Sequence, residues 1–180
     1  MDRKQFIHKT GAGTGALVLL GAGQSAATTT QEAAPEAAGR NQRVQQEWIK
    51  SLMENLDAQL DEPTRIKLME SCGRACARRG AVATLAKPAK GDIDKLLNAL
   101  GRHVGKENAT RDGNVVHLSY PTCYCPLVAA GPPRLSNTYC HCSRGWVLEV
   151  FQAVTGKPVG VELTHSIKRG DPACRFIVRL

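Results

Sequence analysis

Cys123-Tyr124-Cys125 and Cys140-His141-Cys142 are two Cys-x-Cys pairs with fourteen residues between them. Alternate residues of an extended chain point the same way, so each pair would present two sulfurs to one side. A loop folding back between the pairs then brings four thiols together, and any fold of this chain has to ligate them, bridge them or hold them apart. Four thiolates about 2.3 Å from zinc, or from another thiophilic metal, would form a closed tetrahedral site with no open position for water and hence no hydrolysis at the metal. Oxidation would instead give a nested ladder, Cys123 with Cys142 and Cys125 with Cys140, each bridge contributing about 2–4 kcal/mol. A redox-active or unpaired arrangement is the third alternative. Cys72 and Cys76 stand one helical turn apart and can join the same ion, pair with the Cys-x-Cys thiols, or pack in the core. His141, enclosed by the second pair, is a further alternate ligand. The seventh cysteine, Cys174, alternates with Phe176, Val178 and Leu180 and reads as a buried, inert thiol.

The rest of the chain has to supply a core around these thiols. Apolar residues make up 42% of it and charged residues 22%, which excludes a wholly disordered protein. Phe, Trp and Tyr are only 4%, so aliphatic side chains fill the interior, as suits helices packed on a small sheet. No run in the body of the chain approaches the roughly 20 apolar residues of a membrane span.

Residues 1–27 have the three-part layout of an export signal: a basic start at Arg3, Lys4 and Lys9, a weakly apolar Gly-rich middle, and small residues Ser25-Ala26-Ala27. Arg3-Lys4-Gln5-Phe6-Ile7 is similar to a twin-arginine motif with lysine as its second basic residue. The expected destination is the periplasm or another exported location, where disulfides persist. The formal charge of +8 falls to +6 without this segment. Arg74, Arg78 and Arg79 have no stacking aromatics among them, so nucleic acid is a poor partner and a solvated helix face is expected.

Residues 28–41 hold almost no large apolar side chain and read as a flexible linker, leaving 42–180 as a single cysteine-rich domain. Val44, Trp48, Ile49, Leu52, Leu56 and Leu60 recur at helical spacing. Asp61 and Pro63 open a second helix that places Ile66, Met69, Cys72 and Cys76 on one face and stops at Gly80. Asp92 caps a third helix with Ile93, Leu96, Leu97 and Leu100. After a turn at 111–114, Val115 to Tyr120 alternates as a strand, and Trp146 to Val154 forms a fourth helix started by Ser143 and ended by Gly156. Val159 to Ile167 and Ala173 to Leu180 alternate as the two strands of a C-terminal hairpin. The fold class is α+β, with N-terminal amphipathic helices packed on a small antiparallel sheet.

His103, His117 and His165 are the remaining histidines of the domain, and His165 alternates with Val161, Leu163 and Ile167 as if to line a pocket. A free, exposed thiol beside His117, His141 or His165 would mark a nucleophilic pair. There is no glycine-rich phosphate loop, zinc-protease helix or serine nucleophile elbow. Gly145-Trp146-Val147-Leu148-Glu149-Val150-Phe151, Gly156-Lys157-Pro158-Val159-Gly160-Val161-Glu162-Leu163 and Gly170-Asp171-Pro172-Ala173-Cys174-Arg175-Phe176 together resemble the end of the vinyl-reductase-type small-molecule-binding domains. They are similar also to a related family of uncharacterised bacterial proteins and to the aminothiazoline-carboxylate hydrolases. The resemblance implies helices on one face of an antiparallel sheet with an apolar ligand cavity between them, and gives Cys174 a buried or metal-proximal setting. The two Cys-x-Cys motifs have no counterpart in it. The expected function is an exported small-molecule-binding or sensing domain with a cysteine-rich structural site, and the alternative is a thiol-dependent hydrolase or thiol oxidoreductase acting on a small substrate.

Overall fold

The computed structural model describes residues 33–131 and 134–180. The export signal expected at 1–27 lies outside the described residues. Helix α1 runs Ala33–Gln59, so it begins within the stretch read as a linker. Ala and Glu are strong helix formers, and a helix anchored further along can propagate through such residues. The apolar residues expected on one buried face of α1 divide between two. Ile49 and Met53 reach the core together with Gln46, while Val44, Trp48 and Leu52 are exposed. At about 100° per residue Met53 and Gln46 lie nearly opposite Val44, which is why one helix face cannot bury both sets.

Asp61 caps α2 (Glu62–Arg79), its Oδ1 accepting from the Thr64 amide at 2.8 Å, with Pro63 in the first turn. A π-helical turn, Val82–Ala86, leads on to α3 (Ile93–Val104), where Asp92 Oδ1 accepts from the Lys95 amide at 2.9 Å. Leu96, Leu97, Leu100 and Val104 of α3 are buried. Strands β1 (Ala109–Asp112) and β2 (Val115–Tyr120) form a hairpin around Gly113, whose φ of 55° is the left-handed conformation the turn requires. The sequence pattern shows only β2, because β1 is four residues long with one buried side chain. Helix α4 runs His141–Thr155 and ends at Gly156. Strands β3 (Gly160–His165) and β4 (Cys174–Arg179) pair antiparallel, as expected of the C-terminal hairpin.

The sheet order is β1-β2-β4-β3, with every pairing antiparallel. Val116, Leu118, Val161, Leu163, Cys174, Phe176 and Val178 form its buried face and join the side chains of α3 and α4 in one core. The fold is thus α+β, helices against a four-stranded antiparallel sheet.

Helices α2 and α4 make the closest helix contact. A Cβ placed on Gly73 would fall on the backbone carbonyl of Cys142, and one on Gly145 on the backbone of Glu70. Charged residues seal the seam. Glu149 accepts from Arg74 at 3.0 Å and from Arg78 at 2.9 Å, and Arg144 pairs with Glu70. Burial works to raise the Glu149 carboxyl, but the guanidiniums of Arg78 and Arg74 outweigh it and hold it below the usual carboxylate range. Two of the arginines expected on a solvated face are therefore partners of α4.

Candidate functional site

Six of the seven cysteines line one cavity of about 380 Å³: Cys76 from α2, Cys123 and Cys125 from the segment after β2, Cys140 and Cys142 at the start of α4, and Cys174 from β4. Its apolar wall includes Leu100, Val104, Val128, Tyr120 and Trp146. Among the described residues no carboxylate lines it, and the ionisable side chains there other than thiols and phenols are His103 and Lys168. Neighbouring elements hold the walls in place. Asp57 of α1 accepts from Ser136 Oγ at 2.9 Å and from Thr138 Oγ1 at 3.3 Å, which fixes the segment leading into Cys140. The Leu135 amide donates to the Lys168 carbonyl at 2.9 Å, tying that segment to the connection between β3 and β4.

All four Cys-x-Cys cysteines line the cavity, but the second pair does not present both sulfurs to one side, and the reason lies in the backbone. Cys140 has helical dihedrals (φ −73°, ψ −3°) and Cys142 lies in the first turn of α4, so the second pair is not extended. On a helix, residues i and i+2 leave the axis about 200° apart, and the two side chains diverge. The environments of the two thiols show the division. Burial pushes the Cys140 thiol up to about 11, the neighbouring Cys174 and Cys123 adding to it. Burial likewise pushes Cys142 up to about 12, here with Cys125, Cys72 and Cys76 adding more to it than Cys140 does. Among the described residues no group of three or more His, Cys, Asp or Glu side chains is disposed to hold a metal ion.

Cys125 Sγ lies 3.5 Å from the Tyr139 hydroxyl. Burial first, and that hydrogen bond second, raise the Tyr139 phenol well above its ordinary range. Cys174 is buried, as its alternation with Phe176 and Val178 implies, and its sulfur accepts from the Ile167 amide at 3.4 Å. Burial raises its thiol as well.

His141, the alternate ligand, is engaged elsewhere. Arg169 Nη2 lies 3.1 Å from its Nε2, and since a guanidinium only donates, Nε2 is the acceptor and the proton resides on Nδ1. Burial, with Arg169 adding to it, lowers the imidazole below its ordinary value, so His141 is neutral at pH 7. His117 and His165 do not reach the thiol cavity. They line a separate hollow of about 320 Å³ with Thr110, Thr164 and Arg175, where a bulge after Leu163 re-aims His165.

Cys72 and Cys76, expected on the apolar face of α2, are exposed, and Gly73 and Ala77 are the residues buried there. Burial therefore sets a reactivity order. In reduced protein at neutral pH, an alkylating agent should modify Cys72 and Cys76 first, the half-buried Cys142 more slowly, and leave Cys140 and Cys174 protected until unfolding. Time-resolved peptide mass analysis reads this directly, and early modification of Cys140 would contradict the burial described here.

Tyr120, Tyr139, Trp146, Val128 and Lys168 are wall residues that sequence reasoning does not assign to a site. They come from four parts of the chain, β2, its connection to α4, α4 itself and the connection between β3 and β4, and only Trp146, within the C-terminal resemblance, carries any signal of its own.

Residues 22–179 match the family described as a family of unknown function, DUF6144. The chain belongs to that family. The match is not to the vinyl-reductase-type domains or the aminothiazoline-carboxylate hydrolases, so that resemblance stays an expectation. A search of curated proteins finds no match. Among solved structures, the phenol-responsive sensory domain of the transcription activator PoxR, crystallised with phenol, is 15% identical over 73% of this chain and 72% of that one, with a TM-score of 0.46.

Proposed function

We propose that this DUF6144 domain binds a small, predominantly apolar molecule in the thiol-lined cavity. The observation that carries the reading is the cavity itself. Its volume of about 380 Å³ falls in the range of roughly 300–1,000 Å³ typical of ligand sites. Its wall combines aliphatic and aromatic side chains with a few polar groups, the Tyr139 and Ser143 hydroxyls among them. Protonated thiols at Cys140 and Cys142 add soft, weakly polar surface, not charge, and with no carboxylate among the described wall residues the site favours an uncharged guest over a cationic one.

Trp146 lines the cavity while Trp48 is exposed, so a Trp48→Phe protein reports on the cavity alone. Naphthalene-sized neutral aromatics should shift and quench the Trp146 emission saturably. Leu85→Trp, which adds bulk at a half-buried wall position, should lower their affinity about tenfold or more by calorimetry. Binding that survives Leu85→Trp unchanged, or no saturable quenching by any member of the series, would sink the proposal.

A further inference from the structure

Three of the six large apolar side chains exposed among the described residues belong to one stripe of α1: Val44 at 64% exposure, Trp48 at 63% and Leu52 at 39%. Spaced by four residues, they run about 12 Å along the helix, on the side away from Met53 and Gln46. Asn41, Ser51 and Asn55 continue the stripe without charge. A soluble surface tolerates scattered apolar residues, but a tryptophan flanked by two aliphatic side chains along an uncharged strip is the composition of an interface centre.

The charges beside the stripe say what covers it. They lie on one flank, and along the helix they read Arg40, Arg43, Glu47, Lys50, Glu54, Asp57. The sign of this series inverts about the point midway between Trp48 and Ile49: Arg43 mirrors Glu54, Glu47 mirrors Lys50, and Arg40 mirrors Asp57. A two-fold axis through that point, perpendicular to the helix, sets the same flank of a second helix alongside in reverse order. Every charge then meets its opposite. In a parallel pair the charged flank would instead lie beside the partner's opposite flank, where Gln42, Gln45 and Leu56 carry no charge. The apolar stripe obeys nearly the same symmetry, since Val44 and Leu52 are equidistant from Trp48. Asp57 is already engaged by Arg65 at 3.1 Å, so the two inner pairs carry the match. Within one chain Lys50 meets Glu54 only at 3.9 Å, with both exposed, and this loose contact is readily exchanged for one across the axis.

We propose that α1 docks on α1 of a second copy of this chain, antiparallel about that axis, with the two Trp48 rings meeting at the centre and Val44 of each copy against Leu52 of the other. One helix per copy makes a small interface, and the association is accordingly concentration-dependent.

Sedimentation velocity of the full chain under reductant, across a wide concentration series, should show the mass rising from one chain to two. Trp48→Glu should abolish the rise. Arg43→Glu and Glu54→Arg should each weaken the dimer about tenfold at low salt, because each places like charges together at two symmetry-related points. The double reversal should restore it. All three positions are exposed, and a circular-dichroism melt checks that the variants remain folded. A chain that stays monomeric throughout, a dimer indifferent to Trp48→Glu, or a double reversal no better than the single changes would each overturn the proposal.

Discussion

Gly73→Ala is expected to cost about 3 kcal/mol or more of folding stability, and Gly145→Ala a similar amount. In a solvent-exposed helix the same change would stabilise by up to about 1 kcal/mol, since alanine has the higher helix propensity. Here the added methyl group of residue 73 meets the Cys142 carbonyl, with the Cys142 carbonyl carbon at 2.7 Å and the Trp146 amide nitrogen at 2.8 Å. These are backbone atoms of a packed helix and cannot swing aside as a side chain would. Relief requires α2 and α4 to separate, which opens the contact between them and pulls on the Glu149 and Glu70 ion pairs at the same seam. Overpacking that a core can absorb costs about 1–3 kcal/mol, and a clash between two backbones lies at or beyond the top of that range. Gly39→Ala is the internal control. It lies in α1 with nothing within 4 Å of its added methyl, and should be neutral to stabilising. Urea unfolding midpoints decide the matter, and a Gly73→Ala midpoint equal to that of Gly39→Ala would show that the two helices are not in backbone contact. Because Cys142 and Trp146 both line the cavity, the same substitution should also weaken any guest bound there.

That helix contact explains why the framework was legible in the sequence while the site was not. Asp61 and Asp92 read as helix caps, and each accepts the amide bond its position implies. Val116 and Leu118, like Cys174, Phe176 and Val178, alternate because one face of their strand is buried. These are local rules, enforced within a few residues. The divergence of Cys140 and Cys142 obeys a longer-range one. Cys140 and Cys142 look like a chelating pair only while their backbone is taken as extended, and Gly73 and Gly145 are what seat the first turn of α4 against α2. Nothing near Cys142 in sequence reports that contact. Helix α1 shows a related limit. Its periodicity correctly announced a helix, but Val44, Trp48, Ile49 and Leu52 span an arc too wide for one buried face, and only the tertiary contact chose Ile49 for the core.

The second large effect is on alkaline stability. A thiol whose folded-state value lies above its unfolded value keeps its proton longer in the native state than in the unfolded chain. Below the unfolded value of about 9 both states hold the proton, and the thiols give stability no dependence on pH. Above it the unfolded state binds fewer protons, so stability falls by about 1.4 kcal/mol per pH unit for each such thiol. The fall ends only when pH passes the folded values of about 11 for Cys140 and about 12 for Cys142. Cys174, Tyr120 and Tyr139 are raised chiefly by burial too and act in the same direction. Several kcal/mol should therefore be lost between pH 9 and 11, a large share of the roughly 5–15 kcal/mol that holds an ordinary domain together. Urea midpoints measured under reductant should be level from pH 7 to 8.5 and drop steeply beyond. Cys142→Ala lowers the midpoint at neutral pH by leaving a void, but it should flatten the alkaline slope by one thiol's worth, and that slope is the diagnostic quantity. A midpoint unchanged up to pH 11 would mean that both sulfurs ionise freely into water, and the cavity could not then be a dry one. The same protonation bears on chemistry. A thiolate is the attacking form of cysteine, and neither Cys140 nor Cys142 supplies one at neutral pH. The cavity is thus better suited to holding a guest than to cleaving it with either of these sulfurs.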